Sequence, residues 1–203
     1  MTHTTSKDEM LTHIAKEVNL CKKCLLHQTR NIPLIGEGKS AVNIMIIGEA
    51  PGYYENQTGK AFIGKAGKIL DQLLDHVHLS RKDVYITNVL KCHPPRNHDP
   101  KPDEIYACLD YLERQIKIIQ PTIIMTLGRI ASKTIFSKVS LPFSKICEMH
   151  GKTFNIKASY GQVKIFPQYH PATACYATTG NGNISMLDIL KEDFEKTIGK
   201  VLN

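Results

Sequence analysis

The run Val42-Asn-Ile-Met-Ile-Ile-Gly48 is the stretch that decides the fold class. It is short, almost wholly apolar and bounded by polar residues and glycine, which is typical of a β-strand covered on both faces. Similar runs recur along the chain and alternate with segments whose apolar residues repeat at helical spacing. The predicted strands are 42–48, 84–90, 122–127 and 163–167, and the predicted helices are 7–20, 64–77, 102–120, 128–136 and 184–198.

Strands that alternate with helices pair in parallel through right-handed crossovers, which places helices on both faces of the sheet. We therefore predict an α/β fold of three layers, α/β/α, around a central, mostly parallel four-stranded sheet. At 203 residues the chain has the size of one ordinary domain, so a single domain over residues 1–203 is expected. Ligands of such sheets collect at the carboxyl ends of the strands, here segments 48–62, 88–95 and 170–176.

The composition of the chain indicates which class of binding partner and which cellular compartment to expect. The formal net charge is +7 and the pI is near 9.0, which favours a polyanionic partner without proving one. The longest apolar stretch is far shorter than the roughly 20 residues of a membrane-spanning helix, so no membrane partner is expected. Residues 1–8 lack the basic start and apolar run of a secretory signal, which predicts a cytoplasmic protein with reduced thiols.

Four of the six cysteines form a pattern. Cys21 and Cys24 are a C-x2-C pair after the first predicted helix, and Cys92 and Cys108 flank a proline-rich loop and the start of another helix. Four thiolates from two segments fit either a structural zinc ion or an iron-sulfur cluster, and spacing does not separate the two. The alternative is a pair of buried thiols without metal. Cys147 and Cys175 stand outside the pattern, and we predict that they pack as small apolar residues.

Four ordered motifs carry a family resemblance. They are Gly48-Glu-Ala-Pro-Gly52, Gly59-Lys-Ala-Phe-Ile-Gly-Lys-Ala-Gly67, Ile86-Thr-Asn-Val-Leu-Lys-Cys-His-Pro-Pro95 and His170-Pro-Ala172. Together they resemble the family 4 uracil-DNA glycosylases, from Cys21 to about Asp193. The resemblance implies the uracil-DNA glycosylase fold and a structural [4Fe-4S] cluster held by Cys21, Cys24, Cys92 and Cys108.

The same resemblance implies an activity and its partners. A member of this family flips uracil out of DNA and hydrolyses its N-glycosidic bond, leaving an abasic site for base excision repair. The implied enzyme is a monofunctional glycosylase and a monomer that acts on uracil-containing DNA, with replication or repair proteins as candidate partners. Two alternatives from the residues alone are a noncatalytic nucleic-acid-binding module with a structural metal and a small electron-transfer protein.

The resemblance also assigns roles to individual residues. Phe62 would stack on the flipped base, and the amide of Asn88 would form hydrogen bonds with uracil O4 and N3–H. In cytosine the donor and acceptor at these two positions are exchanged. His170 would donate a hydrogen bond toward uracil O2 as negative charge develops there. Glu49 would orient water or stabilise the cationic sugar, and Glu55 is a second acidic candidate whose share of that work stays open. Gly48 and Ala50 complete the expected substrate-binding set.

Each of these residues has a structural alternative. Phe62 could be a core residue, Asn88 a cap at a strand end and His170 a structural histidine near a turn. The chain also departs from the family pattern at Tyr53 and Tyr54, where acidic residues are common, and at His93, where arginine is common. The segment 173–183 is longer and more polar than in relatives, so the residue that wedges into DNA is not assigned.

Overall fold

A five-stranded sheet forms the middle layer of the protein. The computed structural model describes residues 5–175 and 185–199. The strands are β1 (Ile44–Gly48), β2 (Val84–Asn88), β3 (Ile123–Leu127), β4 (Phe154–Ala158) and β5 (Gly161–Gln168). Their spatial order is β2-β1-β3-β5-β4, and every neighbouring pair is parallel except β4 with β5. The predicted three-layer, mostly parallel α/β fold is confirmed, but the prediction of four strands is wrong.

The strand that the sequence analysis missed is β4. Its sequence, Phe-Asn-Ile-Lys-Ala, alternates apolar and polar residues, and its side chains are alternately half-buried and exposed. It lies at the edge of the sheet and pairs with β5 in a hairpin. Because only one face of β4 is covered, its sequence lacks the continuous apolar run on which the other strands were recognised.

Helices cover both faces of the sheet. One apolar core contains β-strand residues together with Leu70, Leu73 and Leu74 on one helix, and the other core contains Leu112 and Ile135 from two further helices. The helices are α1 (Lys7–Leu20), α2 (Tyr53–Thr58), α3 (Lys65–His76), α4 (Pro102–Ile119), α5 (Arg129–Lys138), α6 (Ile146–Met149) and α7 (Met186–Phe194). In residues 5–175 and 185–199 no helix is both long and apolar enough to cross a lipid bilayer.

The ends of the helices follow local chemistry. α1 has the predicted bounds because Ser6 and Glu9 form a capping box at its start. α4 begins at Pro102 and ends at Ile119, and the next residue, Gln120, adopts a left-handed conformation just before Pro121. The last predicted helix, 184–198, is shorter than expected: α7 ends at Phe194 and a π-helical turn, Glu195–Gly199, follows it.

The topology brings four strand ends into one row. Gly48 at the end of β1 lies beside Asn88 of β2, and Leu127 of β3 lies beside Gln168 of β5. The chain runs from β1 to β2 on one side and then returns past β1 to β3 on the other, so the strand order reverses at β1. In a doubly wound sheet this reversal opens a crevice at the carboxyl ends of the strands.

Candidate active site

A cavity of about 580 Å³ opens at the carboxyl ends of the strands, a volume within the usual range of ligand pockets. Six of the seven residues that the sequence assigned to catalysis or substrate binding line it: Glu49, Ala50, Glu55, Phe62, Asn88 and His170. Gly48 lies directly behind them. A Cβ atom on Gly48 would be 2.3 Å from Asn88 Oδ1 and 2.7 Å from the Phe62 ring, so only glycine lets these two side chains meet there.

Asn88 is the most deeply buried polar residue of the pocket. Its side chain is at the end of β2 and the residue is only 1% exposed. Within the described residues neither Nδ2 nor Oδ1 makes a hydrogen bond. A buried amide with both atoms unsatisfied is rare because it loses its hydrogen bonds to water without replacement. The strand-end cap considered for Asn88 is therefore not observed, and the amide is free to bind a ligand.

The backbone at Phe62 is strained. Its φ of 50° places a non-glycine residue in the left-handed region, which is uncommon for a bulky side chain. Arg81 holds this conformation by donating hydrogen bonds to the carbonyls of Ala61 and Phe62, while Glu37 and Asp71 form ion pairs with the same guanidinium. The helix α3 passes so close that a Cβ on its Gly67 would be 1.6 Å from the Phe62 carbonyl oxygen.

The Phe62 ring faces His170 across the pocket. The two rings are nearly parallel, with centroids 5.8 Å apart and an angle of 26° between their planes. Phe62 is 6% exposed and also contributes to the apolar core under α3. The alternative interpretation of Phe62 as a core residue is therefore correct for the part of its side chain that does not face the pocket. An aromatic face at the edge of a cavity is suited to stacking on a planar ligand.

His170 is neutral and its tautomer is determined by the backbone. Burial lowers the pKa of His170 to about 4, although the nearby Glu55 carboxylate opposes this shift. Its Nδ1 accepts a hydrogen bond from the Ala172 N–H at 3.1 Å. Because the acceptor nitrogen of a neutral imidazole carries no proton, the proton is on Nε2. The ring therefore presents an N–H donor without a positive charge.

The two candidate glutamates have different surroundings. Glu55 is buried on α2, and its Oε1 accepts hydrogen bonds from the backbone N–H groups of Ile63 and Gly64 at 3.0 and 3.1 Å. Glu49 lies in the loop after β1 and lines the cavity. Burial raises the pKa of the Glu49 carboxyl, Asp99 raises it further, and Arg129 opposes them. Glu55 is thus committed to the backbone, whereas Glu49 is not.

Several pocket residues were missed by the sequence analysis: Tyr53, Tyr54, Lys65, Asn97, His98 and Cys175. Tyr53 and Tyr54 are 62% and 61% exposed, and their rings meet edge to face at 5.5 Å. Only their departure from the family pattern marked them in the sequence. The prediction that Cys147 packs as a small apolar residue is wrong, because it is exposed. Cys175 is half-buried and lies in the pocket wall. Residues 176–183 of the segment where a DNA wedge was sought lie outside the described residues.

The four patterned cysteines meet beside this pocket. Cys21, Cys24, Cys92 and Cys108 line one small cavity, which we call the cysteine site. Cys21 follows the end of α1, and α1 packs on α4, which carries Cys108, through Ile14, Val18 and Tyr111. All four thiols are free. The packing of α1 on α4 explains how cysteines 84 or more positions apart could be brought together, since loops alone would not fix their distance.

Burial makes the free thiolate forms unfavourable at the cysteine site. It raises the pKa of Cys108 to about 11 and raises the pKa values of Cys24 and Cys92, in each case with a further contribution from neighbouring cysteines. Donors also reach the sulfurs: Arg30 Nη1 lies 3.2 Å from Cys92 Sγ, and the Lys91 N–H lies 3.5 Å from Cys108 Sγ. A positive charge at this site, such as that of a bound metal, would favour the thiolate forms, and the N–H donors would stabilise them further.

No set of three or more His, Cys, Asp or Glu side chains in residues 5–175 and 185–199 is arranged to hold a single metal ion. The four sulfurs share a cavity without converging on one point. Ala50 packs against the apolar shell of this cavity, and His93 Nδ1 contacts the Pro51 carbonyl at 2.7 Å. The cysteine site and the loop that carries Glu49 are therefore in direct contact.

Comparison with known proteins agrees with this geometry. Residues 35–195 match the family model described as the uracil DNA glycosylase superfamily. The chain is 47% identical to the type-4 uracil-DNA glycosylase of Sulfurisphaera tokodaii, over 93% of this chain and 83% of the relative. It is 40% identical to that of Archaeoglobus fulgidus, over 95% and 92%. A type-5 uracil-DNA glycosylase of Thermus thermophilus is 30% identical over 68% of each chain. The chain therefore belongs to the uracil DNA glycosylase superfamily and, within it, to the type-4 uracil-DNA glycosylases.

Proposed function

We propose that this protein is a monofunctional uracil-DNA glycosylase that flips uracil out of DNA and hydrolyses its N-glycosidic bond. The observation that carries the proposal is the buried Asn88 amide, whose two polar atoms have no partner among the described residues of the pocket. A base that enters the cavity supplies those partners. Extraction of the base from the stack costs a few kcal/mol, which is recovered by stacking and hydrogen bonding inside the pocket.

Base recognition follows from the donor and acceptor pattern of that amide. Asn88 Nδ2 donates to uracil O4, and Oδ1 accepts from N3–H. Cytosine presents an amino group and a bare ring nitrogen at the same positions, so both contacts become mismatched. Each mismatched buried group costs about 1–3 kcal/mol, which excludes the normal base from the pocket. The Phe62 ring stacks on the base, and the strained backbone at Phe62, which Arg81 holds in place, supports this because backbone strain is often found at functional sites.

Departure of the uracil leaves negative charge on the base and positive charge on the sugar. His170 Nε2–H donates to uracil O2 and stabilises the anion as it forms. The low pKa of His170 and the hydrogen bond to its Nδ1 support this role, because they keep the ring neutral and its Nε2–H available. A neutral histidine donates this hydrogen bond without transferring its proton to the base, and the hydrogen bond strengthens as negative charge develops on uracil O2.

We assign different roles to the two glutamates. Glu49, whose carboxylate is not used by the backbone, orients the attacking water and stabilises the cationic sugar. Glu55 maintains the turn that carries Phe62, since it accepts the Ile63 and Gly64 N–H groups, and it adds a negative charge close to His170. Gly48 and Ala50 let the base approach the backbone behind Asn88.

The cysteine site fits a [4Fe-4S] cluster bound by Cys21, Cys24, Cys92 and Cys108. Four thiols from two segments share one cavity, yet they do not converge as ligands of a single ion would. A cluster binds each cysteine through a different iron atom, and the family resemblance favours it over one zinc ion. When bound, the cluster supplies folding free energy and positions the 88–95 loop, and it takes no part in base release.

The pocket also supports the expected context of the enzyme. The pocket is open to solvent and lined by residues suited to a flipped base, which supports action on uracil-containing DNA in base excision repair, and we propose that the protein acts as a monomer. The four free thiols of the cysteine site, two of them buried, support a reducing compartment such as the cytoplasm. The cysteine site and the pocket contact each other through Ala50, which supports a single domain that carries both.

The test is a base-release assay on anaerobically purified protein. The substrate is an end-labelled oligonucleotide with one uracil, compared with matched oligonucleotides that carry cytosine or thymine, and abasic sites are cut with alkali. We expect cleavage only at uracil, together with a brown protein that contains iron and acid-labile sulfide. Tight DNA binding without base release would instead favour a noncatalytic binding module, and stoichiometric zinc in a colourless protein would contradict the cluster.

A further inference from the structure

One buried cation has no role in the chemistry described above. Lys91 is 1% exposed, and its Nζ donates three hydrogen bonds of 2.7–2.8 Å. The acceptors are Thr87 Oγ1, the carbonyl of Asn88 and Gln115 Oε1. All three are neutral oxygens, and no carboxylate in the described part of the chain forms an ion pair with Lys91. Burial lowers the pKa of Lys91 to about 7, but three donated hydrogen bonds use all three protons of an ammonium group. A buried ammonium without a counter-charge is costly, which calls for an explanation.

The surroundings of Lys91 are too well ordered for an accidental burial. Gln115 donates to the Ile35 carbonyl at 2.8 Å and to the Tyr85 hydroxyl at 3.1 Å, and Thr87 donates to the same Ile35 carbonyl at 2.7 Å. Two of the three acceptors of the ammonium, Thr87 and Gln115, are thus oriented by hydrogen bonds of their own. A network in which every member is satisfied holds its central group in one position.

Lys91 lies between the base-reading residue and the cysteine site. On one side its Nζ holds the carbonyl of Asn88 at 2.8 Å. On the other side its backbone N–H lies 3.5 Å from Cys108 Sγ, the next residue is Cys92, and Lys91 lines the same small cavity as all four cysteines. A single residue therefore contacts both the backbone of the pocket and the sulfur ligands.

We propose that Lys91 is a positioning residue that couples the cysteine site to the base pocket. Its ammonium is the buried counter-charge of the four thiolates, which keep a net negative charge when they bind an iron-sulfur core. The same ammonium binds the carbonyl of Asn88, and this contact keeps the side-chain amide of Asn88 oriented toward the base. The inference rests on the proposed uracil-DNA glycosylase activity and adds to it a residue that does not touch the substrate.

The first test compares Lys91→Met with Lys23→Met. Methionine keeps much of the length and burial of lysine but removes the charge and the donors. Lys23 is a matched control because its backbone N–H also approaches a site cysteine, Cys21, while its side chain is half exposed and does not contact Asn88. Two quantities are measured on iron-loaded protein: the rate at which a chelator removes iron, and the single-turnover rate of uracil release with the dissociation constant for DNA.

For Lys91→Met we expect iron loss to accelerate and uracil release to slow, each by about tenfold or more, because hydrogen bonds to a charged group are stronger than neutral ones. DNA affinity and both rates of Lys23→Met should stay near wild type. The inference requires both changes in Lys91→Met, so either one alone overturns it. Wild-type protein that releases no uracil contradicts the proposed function instead, and the two failures are therefore distinguishable.

A second variant covers the case in which Lys91→Met does not fold. Gln115→Glu keeps the lysine and its bond to Asn88 but gives the ammonium a carboxylate partner in place of a neutral oxygen. It also removes the Nε2 donor to the Ile35 carbonyl, so Gln115→Met, which removes that donor without adding a charge, is measured beside it. We expect the Gln115→Glu protein to fold, to lose iron to the chelator faster than wild type, and to release uracil at close to the wild-type rate while iron is present. Iron retention equal to wild type would show that the ammonium is not the counter-charge of the cysteine site.

Discussion

Replacement of Asn88 by leucine should make the protein more stable and nearly inactive. Leucine has the branched outline of asparagine without its polar atoms. Because both atoms of the Asn88 amide are buried without partners among the described residues, removing them relieves a desolvation cost that the folded, ligand-free protein bears. The same removal deletes the two contacts proposed to read uracil. Stability and activity should therefore change in opposite directions at one position.

The size of both effects can be estimated. An unsatisfied buried polar group costs about 1–3 kcal/mol, and we take about 2 kcal/mol for the whole amide because water can enter the pocket. For a chain of this size about 1 kcal/mol shifts the melting temperature by roughly 2–4 °C, so an increase of about 4–8 °C is expected. Loss of two hydrogen bonds of about 1.4 kcal/mol each slows uracil release by on the order of a hundredfold.

Gln168 provides the matched control. It is the last residue of β5, its amide is also buried with neither polar atom bonded among the described residues, and it does not line the pocket. Gln168→Met should raise the melting temperature by a similar amount and leave uracil release within about twofold. Melting is followed at one scan rate on proteins with equal iron content, because a tightly bound metal centre makes unfolding depart from two-state behaviour. Release is measured in single turnover.

Two results would refute this reasoning. A lower melting temperature for Asn88→Leu, with Gln168→Met raised, would mean that the Asn88 amide is satisfied in solution and is not held ready for a ligand. A wild-type rate of uracil release in Asn88→Leu would mean that the base is read elsewhere in the pocket.

Three further predictions concern catalysis and the cysteine site. The rate of uracil release should fall with decreasing pH as Glu49 is protonated, at a pH above the ordinary glutamate pKa of about 4.3 because burial raises the Glu49 pKa. No inflection is expected near 6.5, the ordinary histidine pKa, because burial lowers the pKa of His170. Asp99→Asn should move the fall in rate to lower pH, because Asp99 contributes to the raised pKa of Glu49. His170→Ala should slow single-turnover release by about a hundredfold while the dissociation constant for DNA changes little, and a parallel loss of binding would contradict its role. Alanine at any cysteine of the cysteine site should lower soluble yield and iron content, whereas the exposed Cys147→Ala should keep its iron.

The sequence predicted those parts of the fold that depend on local patterns. The bounds of α1 follow from the Ser6 capping box and from its apolar spacing, and the four buried parallel strands follow from continuous apolar runs. The edge strand β4 was missed because its pattern depends on a partner, β5, that pairs with it only in the folded chain. Likewise, the surface position of Cys147 depends on packing, which a residue's apolar character alone does not determine.

The positions of Gly48 and Asn88 in the candidate site could also be predicted from local patterns in the sequence. Gly48 and Asn88 end two strands that pair in register, so short motifs at strand ends are sufficient to place them together. Arg81 carried no comparable signal. It follows α3 as an ordinary surface-type residue in the sequence, and its importance lies in the Ala61 and Phe62 carbonyls that it binds. The strained φ of Phe62 is invisible in a sequence because nothing in its composition distinguishes it from a core phenylalanine.

The division between Glu49 and Glu55 shows most clearly what three-dimensional contacts add. Both glutamates follow β1 within seven positions of Gly48, and both can serve as a carboxylate base by residue type. Glu55 is distinguished only by the Ile63 and Gly64 N–H groups that it binds, which a chain reversal after α2 brings back to it. A carboxylate oxygen that accepts two backbone hydrogen bonds is already occupied, so the water-orienting role passes to Glu49, whose carboxylate lines the cavity. Glu49→Gln should therefore impair uracil release at wild-type stability, whereas Glu55→Gln should lower the melting temperature as well.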